Sequence, residues 1–230
     1  MSTLSANQAA RFTSFSDNTP KTRRAAYGDE PSILADIYND ETNIAIWQRE
    51  LPAAVQRSVK NFLTSQATFN LTTTVASNSI LANVNTSLGH KAESELCENI
   101  AELVDMFCYL FELKAVGLRL SVLDSAMCPR FHVDRIPCRL ATTFQGVATE
   151  WLPHETVNRE KLGRGSNGKP DSQSGLYHNQ HDIQQLKCGD VALLKGEIWE
   201  GNSNAGLVHR SPALSAAERR LLLPLDFSNY

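Results

Sequence analysis

In Cys128-Pro-Arg-Phe-His-Val-Asp134 an imidazole and a carboxylate stand two residues apart. On an extended chain residues i and i+2 face the same side, so His132 and Asp134 can aim at one point. Two ligands of an open, facial metal site need that arrangement, and a third must come from a segment distant in sequence. The pair alone is a weak signal, because six His and eleven Asp in 230 residues give about 0.3 His-x-Asp occurrences by chance. His209 supplies a third donor. It lies in Gly206-Leu-Val-His-Arg-Ser-Pro212, behind the strand-like Gly189-Asp-Val-Ala-Leu-Leu-Lys-Gly196. Arg219 and Arg220 follow at the start of the last apolar segment.

Other side chains compete for attention. Cys128 shares the parity of His132 and Asp134, and a thiolate there would favour zinc; Pro129 interrupts that parity, and the alternative is a core or neighbouring thiol. His178 and His181 beside Asp182 can form a helical metal pair or sit in solvent. His154 follows Pro153 at a strand end, in position to edge a pocket, and His90 reads as structural. The basic residues Arg159, Lys161, Arg164 and Lys169 read as a solvated loop rather than an anion trap. Trp151 reads as core, Glu150 as a polar face residue or a supporting base, and Asp190 as a turn former. No Gly-rich phosphate loop, Gly-x-Ser-x-Gly elbow or dinucleotide fingerprint occurs, which lowers the case for nucleotide or acyl-transfer chemistry.

The ordered pattern of His-x-Asp, a long gap, His and then Arg resembles the double-stranded β-helix Fe(II)/2-oxoglutarate-dependent oxygenases. The resemblance covers residues 118–227. It implies iron on His132, Asp134 and His209, and the distal carboxylate of 2-oxoglutarate on Arg219 or Arg220. These two point to opposite faces of one strand, so only one can serve. Thr143 can complete that contact, sharing a face with Arg139 and Gln145. Hydroxylation of an unknown substrate is the activity implied. Phe131-His-Val-Asp134, Gly189-Asp-Val191 and His209-Arg-Ser-Pro212 are also similar to an uncharacterised bacterial family associated with zinc-limitation gene neighbourhoods. Cys128 beside the pair and the undecided arginine keep a second reading open: a cupin-like metal-binding or metal-homeostasis protein, possibly zinc-loaded, without oxygenase turnover. A structural β-sandwich without metal is the third.

The elements that must position these residues follow from periodicity. Residues 1–30 read as a loosely held leader, with Pro20, Lys21, Arg23 and Arg24. Residues 33–63 are helical but interrupted at Leu51-Pro52. A helix over 92–114 carries Leu96, Ile100, Leu103, Val104, Phe107, Leu110 and Phe111 on one stripe, closed by Gly117 as a left-handed cap. Strands are expected at 69–75, 118–122, 139–145, 149–152, 191–195, 206–209 and 219–227. The polar stretch 158–180 is long enough to be a lid or disordered. Helices first and strands after predict an α+β fold: a double-stranded β-helix (jelly-roll) barrel braced by N-terminal helices. Residues 31–230 form one domain in this reading, 31–117 as helical support with an added strand and 118–230 as the β-helix core.

Composition sets the outer bounds. The net charge is −3 and 42% of residues are hydrophobic, which fits a globular chain with a sizeable core. The sequence pI near 6.1 leaves no basic excess for nucleic acid. A small-molecule or peptide substrate is the expected partner, with no membrane. No apolar stretch long enough for a signal or a membrane span occurs. Five cysteines without a C-x-x-C pair suit a reducing cytoplasm and no Cys₄ zinc site.

Overall fold

Strand β10 (Arg220–Phe227) shows how the chain is organised: Leu221, Leu223 and Leu225 go to one apolar core, while Arg220, Leu222, Pro224 and Asp226 face the other way. The computed structural model describes residues 22–228 except 90. Most of the expected leader, with Pro20 and Lys21, and the expectation for His90 therefore lie outside the described residues.

The elements run β1 (Arg24–Gly28), β2 (Thr42–Trp47), α1 (Ala53–Ser65), β3 (Phe69–Ala76), α2 (Ile80–Leu88), α3 (Ser94–Leu110), β4 (Ala115–Leu123), β5 (Cys138–Gln145), β6 (Glu150–Leu152), α4 (Asp171–Ser174), β7 (Gln184–Gln185), β8 (Val191–Lys195), β9 (Val208–Arg210) and β10. The fold is α+β. A seven-stranded sheet has the order β1-β2-β8-β5-β10-β4-β3, and a three-stranded sheet the order β7-β6-β9. All pairings are antiparallel except β1 with β2. The described strands thus make two sheets and not one closed barrel.

Three apolar clusters stack these layers. Helices α1, α2 and α3 bury Val55, Phe62, Val84, Leu88, Ile100 and Phe107 against one face of the large sheet. Its other face meets the small sheet through Ile44, Ile46, Ala141, Ala192 and Leu194 against Trp151 and Leu207. The outer face of the small sheet is covered by the 158–183 stretch, where Leu176 joins Phe131, Leu152 and Val208. That stretch is neither a structureless loop nor a cover over the inter-sheet space. It is built of short helical turns docked on an apolar patch.

Several local expectations change. The leader ends in a strand, because Arg24–Gly28 pairs with β2. The interrupted helix of 33–63 contains β2, whose residues are buried on both sides; Ile44, Ile46 and Trp47 therefore lack the polar alternation that marks a half-buried strand. The long helix stops at Leu110, and Glu112 takes the positive φ of 52° at the turn. Gly117 is not its cap: it lies within β4, paired with Asp226. Helix α2 carries no counterpart in the sequence reading.

Candidate metal centre

The His132 segment lies beside β9 as a fourth strand position of the small sheet. His132 N–H donates to His209 O and His209 N–H to His132 O, both at 3.0 Å. Extended parity then does the sorting: Phe131 and Val133 turn outward to the covered patch, while His132 and Asp134 turn inward. On β9, Val208 faces out and His209 in. Gly206 permits the approach, since a Cβ there would overlap Val133 Cγ1.

His132 Nε2 lies 3.7 Å from Asp134 Oδ1, and His209 Nε2 lies 3.4 Å from Asp134 Oδ2. The donor atoms of all three residues fall within 4.8 Å of one another. Facial ligands each held about 2.1 Å from one ion would sit about 3 Å apart. The outer nitrogens fix the tautomers. His132 Nδ1 is 3.0 Å from Arg130 O and His209 Nδ1 is 3.2 Å from Leu207 O. A carbonyl only accepts, so each Nδ1 carries a proton and each Nε2 faces the carboxylate, through a second proton or, with a metal bound, through its lone pair. Three electron-rich atoms facing one another require a cation among them, a proton or a metal ion. A ring N–H donated to a backbone carbonyl is the orientation that metal-ligating histidines adopt.

Charge around the carboxylate is ordered. Arg139 NH1 donates to Asp134 Oδ2 at 2.6 Å, and its Nε and NH2 donate to the two oxygens of Asp226 at 2.7 and 3.0 Å. Arg119 donates to the same Asp226 at 2.9 Å. Burial alone would raise the Asp134 pKa, but the His209 hydrogen bond and the charges of His209, Arg139 and His132 outweigh it and hold the carboxyl well below its usual range. Burial, followed by the nearby His209, pulls His132 below the ordinary imidazole value. Both effects favour the unprotonated donors that a metal needs.

Register sends Arg219 and Arg220 to opposite sides of the large sheet. Arg220 is 1% exposed. It donates through Nε and NH2 to Thr143 Oγ1 at 3.2 and 3.0 Å, and through NH2 to Thr149 Oγ1 at 2.8 Å. No carboxylate pairs with it among the described residues, and burial pushes its pKa down to about 10. Arg219 lines a different cavity on the helix-covered side. Arg139 faces the metal pocket but is fully engaged by Asp134 and Asp226. Gln145 departs from the expected face. A bulge between Leu221 and Leu222 sets Leu221 opposite Gln145 and Leu222 opposite Thr143, throwing Phe144 and Gln145 onto the same side.

The three donors line a cavity of about 310 Å³ with Met127, Cys128, Ala141, Thr149, Leu194, Leu222 and Pro224 among its walls. Cys128 is exposed and stands outside the donor group. His178 and His181 enter no metal-capable cluster among the described residues. Asp190 forms the expected turn, accepting from Lys187 N at 2.8 Å.

One residue had no sequence signal. Asp171, at the start of α4 and 6% exposed, accepts from Phe131 N–H at 2.8 Å and from Arg130 Nε at 2.8 Å. Arg210, next to His209, lies 3.8 Å away and is bound to Glu150 at 2.6 Å. This carboxylate braces both ligand-bearing segments from outside the small sheet. Its partners lie some 40 residues away in the chain, so no local pattern announces it.

Residues 28–226 match the family model described as "Protein of unknown function (DUF1826)", and the chain belongs to that family. No curated protein matches it in sequence. Among solved structures it is similar to the dioxygenase for auxin oxidation (DAO) of rice, with TM-score 0.48 and 11% identity over 89% of this chain and 82% of that one. It is also similar to a Pseudomonas putida prolyl-4-hydroxylase, with TM-score 0.48 and 10% identity over 85% and 97% of the two chains. HygX from Streptomyces hygroscopicus, with nickel and 2-oxoglutarate bound, gives TM-score 0.43 and 13% identity over 87% and 88%.

Proposed function

We propose that this protein is an Fe(II)/2-oxoglutarate-dependent oxygenase that hydroxylates a small-molecule or peptide substrate. The observation that carries the reading is Arg220, a buried guanidinium without an anionic partner among the described residues. It lies on the face of the large sheet that looks toward His132, Asp134 and His209, bonded to Thr149 in the wall of their cavity. Burying an uncompensated charge costs several kcal/mol, and a carboxylate ligand entering this pocket would remove that cost. The donor set fits the ion: two neutral imidazoles and one carboxylate form a facial triad that leaves positions open.

When bound, Fe(II) with 2-oxoglutarate supplies the oxidising chemistry, in which O₂ is consumed as the co-substrate loses CO₂ and becomes succinate. The protein's own contribution is positional. Arg220 would hold the distal carboxylate through two donors, oriented by Thr143 and Thr149. Arg139 keeps Asp134 ionised and turned toward the two imidazoles. Ala141, Leu194, Leu222 and Pro224 keep water from much of the cavity wall. The double-stranded β-helix reading is supported by two facing sheets and by the fourth strand position that the His132–His209 bridge adds. Residues 31–230 act as one domain in this reading, with β1 and β2 of the first half completing the large sheet.

Anaerobic addition of Fe(II) and 2-oxoglutarate should produce a weak visible charge-transfer band, with succinate formed on admitting air. Arg220→Met should weaken 2-oxoglutarate binding about tenfold or more while leaving iron uptake intact. No band together with no succinate would sink the proposal.

A further inference from the structure

The large sheet carries a second cavity on its other side. Of about 1040 Å³, it is bounded by α1, the bulged end of β5, Cys188 and the segment entering β10. Its floor is apolar: Leu51, Leu63 and Phe144 are buried there. Its rim is cationic. Arg57 and Lys60 stand three residues apart on α1 and therefore share a helix face, and Arg219 comes from the opposite wall. Glu50 is the acid in the lining.

These cations differ from the others near a pocket. Arg119, Arg130, Arg139 and Arg210 each hold a carboxylate within 2.9 Å. The side chains of Arg57, Lys60 and Arg219 hold no hydrogen-bond or ion-pair partner among the described residues. We infer that this cavity is a binding site for a phosphate monoester carried on an apolar body, distinct from the metal pocket. Two guanidinium forks and an ammonium offer more donors than the two oxygens of one carboxylate can accept. A phosphate monoester brings three terminal oxygens and a charge of about −1.5 to −2, and guanidinium forks match its oxygen pairs. Leu51, Leu63 and Phe144 then take the body of the ligand, as the apolar walls of small-molecule sites do.

The bulge is what makes this geometry available. It sets Phe144 in the floor and Gln145 at the edge, while Thr143 stays with Arg220 on the far face. Adjacent residues, Thr143 with Phe144 and Arg219 with Arg220, thus turn to opposite faces of the sheet.

Titration calorimetry of the full-length Arg220→Met chain, in which the metal pocket has lost its carboxylate-holding guanidinium, with phenyl phosphate, inorganic phosphate, succinate and phenol tests the assignment. Phenyl phosphate should bind most tightly of the four, inorganic phosphate more weakly, and succinate and phenol weakest. Arg57→Gln with Arg219→Gln should cost tenfold or more in phenyl phosphate affinity. Arg57→Gln alone, at an exposed helix position that should not disturb folding, should cost part of that. Arg24→Gln should cost nothing, and His209→Ala should leave this binding intact whatever becomes of the metal. The inference is overturned if phenyl phosphate gives no heat, if succinate binds as well, or if binding survives the paired substitution.

Discussion

The two faces of the large sheet have been put to opposite uses by the same strands. On β10, Leu221, Leu223 and Leu225 are fully buried against the helical layer. Their alternating neighbours Arg220 and Asp226 belong to the charged inter-sheet space with Thr143, Arg139 and the His132, Asp134 and His209 cluster. The division teaches that strand parity separates stability from chemistry at intervals of one residue. An apolar face gains from every methylene buried. The inter-sheet face instead holds Arg220, without a carboxylate partner among the described residues, and the clustered His132, Asp134 and His209, buried polar groups that cost stability unless compensated.

Paired substitutions should break that division most sharply. Leu223→Ala should cost about 2–5 kcal/mol, a fall of up to ~20 °C in Tm for a chain of this size, with metal stoichiometry unchanged in the folded fraction. His209→Ala should do the reverse, lowering Fe(II) or Co(II) affinity about 100-fold or more with little loss of Tm in metal-free buffer. Calorimetric melting and metal titration on both variants check this. Equal losses in the two measurements for both variants would mean that the faces are not separable.

A smaller effect is expected from the brace outside the small sheet. Asp171→Asn keeps the volume and an acceptor for Phe131 N–H but removes the charge facing Arg130 and Arg210. Metal affinity should fall about tenfold, the scale found when an outer-shell partner is lost, while Tm drops by only a few degrees. Asp171→Glu should recover little of the affinity, because its longer arm displaces the His132 segment. A drop in Tm with metal affinity intact would reduce Asp171 to a folding role.

How much of this was legible in the sequence depends on the range of the forces involved. His132, Asp134 and His209 could be read because extended parity is local and the order along the chain is simple. The choice between Arg219 and Arg220 needed strand register, which is set by partners up to a hundred residues away. Gln145 misled because a bulge breaks parity without a residue-type signal other than Gly146, whose φ is 88°. Strand β2 was hidden by burial on both faces, since periodicity marks only elements with one wet side. Asp171 was unreadable, being one polar residue in a polar stretch until its partners arrive.

Lys195 is the exception that sharpens the comparison most finely. It follows Val191 and Leu193 on the apolar side of β8 and is 2% exposed. Its Nζ donates to Asn39 O at 3.0 Å and stands 5.0 Å from the Trp199 ring centre. Burial, reinforced by the charge of Arg23, pulls its pKa down to about 8. Because the folded value lies below the unfolded one, the unfolded chain binds more protons between about pH 8 and pH 10.5, and stability from this group rises with pH across that window. Below pH 8 the buried ammonium is a constant cost. Wild type should therefore gain on Lys195→Met by up to about 3 kcal/mol between pH 8 and 10.5, read from urea unfolding at constant m. A difference that stays flat across the window would show that the amine titrates as it does in water. The buried ammonium would then carry no net cost on the apolar face of the sheet.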